Sequence, residues 1–600
     1  MEQKKIPTRE QAPVEFTWKL EDLFASDEEW TAEYEALREL PARVAAFQGR
    51  LGESAETLLE YLRLGDEIDL RLERFYGYAS CRADQDLANN KYQDMRGKAV
   101  ARYVELSSAM SFAAPEIMAI DEDRLNLFYI AQPGLETYRR PLHQIRRRAA
   151  HILSPAEEKL LAAAGEMAAG PENVSSMLCD SDLTFPDAID AEGKPHPLTN
   201  GSYGVILESA DRVLRRDGFE KLYARYGEVK NTLAATLDAQ FKAHRFFAEA
   251  RGYANTLEAA LDRNEVPTAV YTRLIEAVHA NLDKMYRYVA LRKKLLGVEE
   301  LHMYDVHTPI VSDVARTIPF AEAKETVLKA LSVLGEDYVA LLREGFESRW
   351  IDVYENVGKR GGAYSSGVAR PHPYVLLNHK DTLDSMFTLA HEMGHALHSY
   401  HSVKAQPVCT SDYVIFVAEV ASTCNEVLLM RYLLANTEDR KERAYLLNHF
   451  LESFKGTLYR QTMFAEFELI MGRMAERGET LTAHRLCEEY HALNRLYFGP
   501  DMISDEQIAV EWARIPHFYY NYYVYQYATG FSAAVAIANR ILSEGESAVY
   551  DYKRFLSGGC SADPIALLKI AGVDMSTPEP VNSALELFGE LVGELETLSA

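Results

Sequence analysis

A chain of 600 residues with 48% hydrophobic and 26% charged residues has an ordinary globular composition, which argues against disorder. Its length exceeds what one compact core usually covers, so two or more subdomains or one large helical body are expected. The formal charge of −26 argues against nucleic acid and anionic membrane surfaces as partners, because their phosphates would be repelled.

The first residues, "MEQKKIPTREQAPVEFTWKL", hold no apolar stretch of the secretory kind, and no window is long and apolar enough for a membrane span. The six cysteines are scattered without a CxxC pair, as expected of buried thiols in a reducing compartment. A cytoplasmic protein is expected. Helix is predicted from Ser26 and Asp27, a capping pair followed by acids. Helical periodicity continues through "SAETLLEYLRLGDEIDLRLERFYGYAS" and "QDMRGKAVARYVELSSAMSFAAPEIM". The arginines of "RRPLHQIRRR" (139–148) fit the solvated face of a helix.

Gly, Pro and Asp enrich "DSDLTFPDAIDAEGKPHPLTNGSYG" (180–204), which reads as a small hairpin. We place a boundary there, giving an N-terminal helical domain over 1–195 and a second domain over 196–600. Helices resume from about Asp211 to Leu296. A second break, 356–381, carries two candidate strands, "GAYSSGV" and "YVLLN", so a small β element is expected beside the next helix. "GKRGGAYSSG" lacks the order of a phosphate loop. Gly362, Ala363 and Tyr364 are instead expected on an extended edge whose backbone pairs with a bound peptide. The fold class is mainly α with a minor β element.

After the second strand, Asp381 and Thr382 can cap a helix carrying "TLAHEMGHALHSYHS". His391 and His395 are one turn apart, so both imidazoles leave one face and can grip one ion. Glu392 sits beside the first ligand without being one. This is HExxH, in which two histidines bind zinc and the glutamate is general base.

Zinc needs a third protein ligand. His401 fits the outer spacing of HExxHxxGxxH, but position 398 is histidine where that pattern needs a helix-breaking glycine. Met430 and Tyr432, which would serve a Met-turn, lie in a continuous helical run. Glu419 is the better candidate. It sits in the apolar helix "YVIFVAEVASTCNEVLLMRYLL", where a carboxylate is costly without compensation. Glu426, two turns on and on the same face, is positioned to orient a histidine ligand. His398 is expected beside the site, and His401 to be an ordinary surface or loop residue.

"HEMGHALH" followed by "FVAEVAST" resembles the thimet oligopeptidase family of zinc peptidases. "TWKLEDLFASDEEW", "GKRGGAYSSG" and "IPHFYYNYYVYQYATG" narrow the resemblance to its bacterial branch, over about Thr17 to Gly572. It implies a two-lobed, zincin-type helical body with a deep enclosed substrate channel, one Zn²⁺ per chain and cleavage of short peptides. It also implies His391, His395 and Glu419 as ligands and Glu392 as base.

His517 and six tyrosines fill "HFYYNYYVYQYATG", a donor array suited to an oxyanion. In the family a histidine and tyrosines near this place have that role. Matching forward from His517 selects Tyr522; matching back from "YATG" favours Tyr527 and Tyr520, with Tyr525 also in the run. His517 and Tyr522 are the expected pair. The expected activity is zinc-dependent cleavage of internal bonds in short peptides. The alternatives are a metallo-carboxypeptidase or dipeptidase on a similar scaffold, and a non-catalytic peptide-binding protein with a vestigial zinc site.

Overall fold

The computed structural model describes residues 6–311, 316–367 and 370–599. Helix accounts for 72% of it, and its sheets are small. The polypeptide forms two compact units, each assembled from three stretches of chain. One comprises Met1–Ala149, Arg316–Leu429 and Ile537–Gly572; the other comprises Ala150–Ala315, Met430–Ala536 and Val573–Ala600. The units are therefore cut differently from the linear division at 195. Two of the crossings, at 429/430 and 536/537, fall inside the regular helices Ile415–Asn436 and Tyr525–Glu544, where composition carries no mark.

In the first unit Ser26 accepts the Glu29 N–H and opens a helix at Asp27. Ser54 does the same for Thr57 at the head of α1, Ala55–Gln85, and α2, Asn90–Met110, packs back along it. Trp30 stacks on Phe75 of α1 with centroids 4.4 Å apart, and the Trp18 indole N–H donates 2.7 Å to the Val375 carbonyl. Apolar packing thus joins the N-terminal segment to a three-stranded sheet of order β4-β6-β5. Here β4 is Ile351–Asp352, β5 is Tyr364–Ser366 and β6 is Tyr374–Leu376. β6 runs parallel to β4 and antiparallel to β5, which is left as an edge. β5 and β6 fall within the two predicted strands. β4, two residues long, is too short to carry an alternation.

The glycine-rich loop before β5 is stapled from inside. Lys359 has a wholly buried side chain, and its ammonium donates to Asp352 Oδ1 at 2.8 Å and to the Leu377 carbonyl at 2.6 Å. Asn378 Nδ2 donates to the carbonyls of Arg360 and Gly362, at 3.0 and 2.8 Å. Gly362 has φ +82°, the left-handed region that favours glycine.

In the second unit the predicted hairpin is present but later in sequence than "DLTFP": β1 (Ala188–Ile189) pairs antiparallel with β2 (Pro195–His196). Asp211 caps α3, Arg212–Ala250, and Gly297 ends the helical run in the left-handed region at φ +66°. β3 (Leu301–His302) pairs parallel with β7 (Met502–Ile503). A buried ion pair, Arg460 to Glu511 at 2.6 Å, ties α6 (Arg460–Glu476) to a following segment. Tyr490 donates to the same carboxylate. Among the described residues, no helix is long and apolar enough to cross a membrane.

Candidate metal centre

Two helices of the first unit supply the centre. Thr382 Oγ1 accepts the Ser385 N–H and starts α4, Leu383–Ala405, which carries His391, Glu392, His395 and His398. α5, Ile415–Asn436, carries Glu419 and Glu426, and Met430 and Tyr432 continue it as helix. The two helices touch backbone to backbone at Gly394. A Cβ there would lie 2.6 Å from Ser422 Cα and 2.8 Å from the Ala421 carbonyl oxygen. Asn425 Nδ2 donates 3.1 Å to the Ala390 carbonyl and fixes the register of the crossing.

This approach brings the donors together. The rings of His391 and His395 stand 4.8 Å apart. Their Nε2 atoms lie 3.3 and 3.4 Å from Glu419 Oε2. One donor atom from each of His391, His395 and Glu419 falls within 4.8 Å of the others. Ser422 Oγ, bonded at 3.1 Å to Glu419 Oε2, steadies that carboxylate. His391 Nδ1 is hydrogen-bonded to Glu426 Oε1, which leaves Nε2 facing Glu419.

The electrostatics call for a cation. Burial opposes a charge on His391, yet its bonds to Glu419 and Glu426 carry its pKa up to about 10. Burial alone would raise the Glu419 carboxyl, but the two imidazoles hold it far below the usual range. Glu392 is 7% exposed, and burial raises its pKa against the pull of His391 and His395. Its Oε2 has no hydrogen-bond partner. Two imidazole nitrogens and a carboxylate on one point suit a divalent transition metal, with an unengaged acid alongside.

A cavity of about 850 Å³ opens at His391, Glu392, His395 and Glu419. Ala363, Tyr364 and Ser365 of the β5 edge line one side; Gly362 shapes the turn just outside it. The Tyr364 hydroxyl donates 2.9 Å to Asp84 Oδ2, tying the edge to α1. Other walls come from Asp69 and Glu73 on α1, Tyr103 on α2, and Asp412 and Tyr413. Burial pushes Asp69 up to about 6 and Glu73 to about 7. No lysine or arginine lines the cavity among the described residues. The sequence reading missed this acidic wall, for its residues lie some three hundred positions before the HExxH helix and carry no motif.

His398 stays outside the donor triad. It is 1% exposed, stacks on Tyr413 at 3.8 Å, and burial pushes its pKa down to about 3, so it is a neutral ring behind the cavity wall. His401 is neither a loop nor a free surface residue. It lies within α4, partly buried and stacked on Tyr338 at 6.3 Å.

The tyrosine run belongs to the second unit and splits by side. Tyr520, Tyr523 and Tyr527 surround His517, with ring centroids 5.5, 6.2 and 6.1 Å away. Tyr519, Tyr522 and Tyr525 point inward. The expected pairing of His517 with Tyr522 is not what the structure brings together. Tyr522 is 3% exposed, and its hydroxyl bonds to Thr256 Oγ1 at 2.8 Å. Tyr525 is 2% exposed and packs on Tyr271. Tyr523, not singled out from the sequence, stands in their place. Counting along the run misassigns the sides because Asn521 and Tyr522 both have positive φ, which breaks any regular period.

The chain is similar to known peptidases along most of its length. The family model described as peptidase family M3 matches residues 205–587, and the one described as oligopeptidase F matches 116–185. Oligopeptidase PepF of Bacillus subtilis (strain 168) is 46% identical over 600 residues, covering 100% of this chain and 90% of that protein. The crystal structure of oligoendopeptidase-F from Enterococcus faecium is 38% identical, with a TM-score of 0.74 over 95% of this chain and 99% of that one. A crystal structure from Chlamydophila abortus is 34% identical, with a TM-score of 0.93 over 99% of this chain and 100% of that one.

Proposed function

Because the chain belongs to peptidase family M3 and is a metalloendopeptidase acting on short peptides, we propose that His391, His395 and Glu419 hold one Zn²⁺ per chain and that Glu392 is the general base. The observation that carries this reading is the convergence of three donor atoms beside a buried carboxylate with an unengaged oxygen. When bound, such an ion supplies Lewis acidity and acidifies water towards a pKa of about 7.

The remaining chemistry is done by side chains of this chain. Glu426 holds the His391 ring so that Nε2 is the nitrogen offered to the ion. Glu392, its basicity raised by burial, takes a proton from the attacking water at Oε2 and delivers it to the leaving amine. The unpaired edge of β5, at Ala363 and Tyr364, aligns an extended peptide by backbone hydrogen bonds. His517, with the phenols of Tyr520, Tyr523 and Tyr527 around it, is assigned the oxyanion-donor role that the family resemblance implies, supported by their grouping as one donor cluster within the second unit.

A cytoplasmic location is part of the proposal, supported by six cysteines of which none forms a disulfide. A carboxypeptidase or dipeptidase activity and a vestigial binding role are not favoured. The relatives matched are oligopeptidases and oligoendopeptidases, and a pure binder has no use for Glu392. The test is mass-mapping of products from peptides with free and with blocked termini, with and without a chelator. Chelator-sensitive internal cuts in blocked peptides are expected. Strict removal of terminal residues, or cleavage indifferent to chelation, would overturn it.

A further inference from the structure

The loop that carries the outward tyrosines is held in a costly shape. Asn521 and Tyr522 are successive non-glycine residues at φ +54° and +60°, a backbone region that L-residues avoid. Such a conformation persists only where its surroundings fix it. Here the fixing groups come from α6 and from Thr256, all within the second unit.

Glu468 of α6 is 0% exposed, and its Oε1 accepts the Tyr522 backbone N–H at 2.7 Å. Its other oxygen has no partner, and no ion pair compensates it among the described residues. Burial pushes its pKa up to about 8. A carboxyl in that position is expensive to keep, and the hydrogen bond its Oε1 accepts comes from this loop. Four residues along α6, Gly472 makes a notch for the Tyr522 phenol, where a Cβ would fall 1.8 Å from the hydroxyl oxygen. Thr256 Oγ1 donates to Glu476 Oε1 at 2.7 Å, so it is left to accept the Tyr522 O–H. The ring is wedged edge-on against Tyr271 at 5.7 Å. With Tyr522 pinned by backbone, ring and hydroxyl, Tyr520 and Tyr523 on either side are forced outward beside His517.

We propose that Glu468, Gly472 and Tyr522 are positioning residues: they lock the 520–524 loop so that His517, Tyr520 and Tyr523 form one donor cluster. The catalytic half of this proposal rests on the reading of that cluster as the oxyanion donors. Tyr522 itself is an anchor and does not meet the substrate.

The experiment uses the full-length, metal-loaded enzyme and compares Glu468→Ala, Glu468→Gln, Gly472→Ala, Tyr522→Phe and His517→Ala. Hydrogen exchange of amides 519–527 tests the anchoring directly. Faster exchange in Glu468→Ala and Gly472→Ala is expected, while unchanged exchange would overturn the lock whatever the activity. Turnover of an internally quenched blocked peptide tests its purpose. A fall in kcat of about ten- to a hundredfold is expected in both, with KM and metal content near wild type, as for a small misplacement of catalytic groups. Glu468→Gln is expected to restore most of the loss, because its amide oxygen still accepts the Tyr522 N–H. Tyr522→Phe, which keeps the ring, is expected to fall between and serves if the alanine variants do not fold. If His517→Ala is impaired while the anchor variants turn over normally, the positioning role is refuted. If His517→Ala turns over normally, the donor reading fails, and the catalytic half of the proposal fails with it.

Discussion

Replacing Gly394 by alanine attacks the proposed metal centre without touching any of its three donor residues. The new methyl carbon would lie 2.6 Å from Ser422 Cα and 2.9 Å from Ser422 N, both backbone atoms that no rotamer change can move. Restoring van der Waals contact requires the helices to part by about 1 Å. Such overpacking costs about 1–3 kcal/mol, partly offset by about 1 kcal/mol from placing alanine in a helix. A modest fall in thermal stability is therefore expected. The metal suffers more, because Glu419 is one turn from Ser422 and ligand distances tolerate only about 0.2 Å. Affinity should fall by at least the ~10–100-fold that loss of a supporting outer partner costs. Competition against a chromogenic chelator measures the affinity, and a thermal melt of the metal-free protein measures the packing term. Wild-type affinity in a folded Gly394→Ala protein would refute the claim that this contact sets the distance between the two halves of the ligand set.

Other expectations follow from single contacts. Glu426→Ala frees the His391 Nδ1 and should weaken metal binding about 10–100-fold while leaving the triad intact, read by the same competition. Lys359→Met removes one of the two cations around the buried Asp352 and should cost about 2–4 kcal/mol in a denaturant titration, with Arg9 still in place. Glu468 should make stability depend on pH. Its folded pKa of about 8 exceeds the ordinary 4.5, so the folded state binds the extra proton and this contribution is lost as pH rises from 4.5 to 8. At about 1.4 kcal/mol per unit, Glu468→Gln should flatten the melting profile across that window, and an unchanged slope would show that the buried acid is ionised throughout.

The donor set is legible in the sequence because each part has a local or energetic signature. His391 and His395 share a helix face by their spacing, and Glu419 stands out as a carboxylate in an otherwise apolar helix. Histidine at 398 keeps that helix unbroken, which sends the search for the third donor to a second helix. Strands at 364–366 and 374–376 are flagged by glycine and β-branched or aromatic content. What stays hidden depends on tertiary geometry. The close approach at Gly394, the acidic wall from Asp69 and Glu73, and the inward turn of Tyr522 are products of which helix lies against which. Two successive positive φ values at 521 and 522 defeat any counting rule for the tyrosines. The threefold interleaving of the compact units likewise leaves no trace in composition.

The central claim, that Glu392 is the base of a metal centre built from His391, His395 and Glu419, is tested most directly by Glu392→Gln. The measurement is metal per chain together with turnover of a blocked, internally quenched peptide. One equivalent of zinc with hydrolysis reduced about a hundredfold or more is the expected result. Hydrolysis near the wild-type rate in the zinc-replete variant would contradict it.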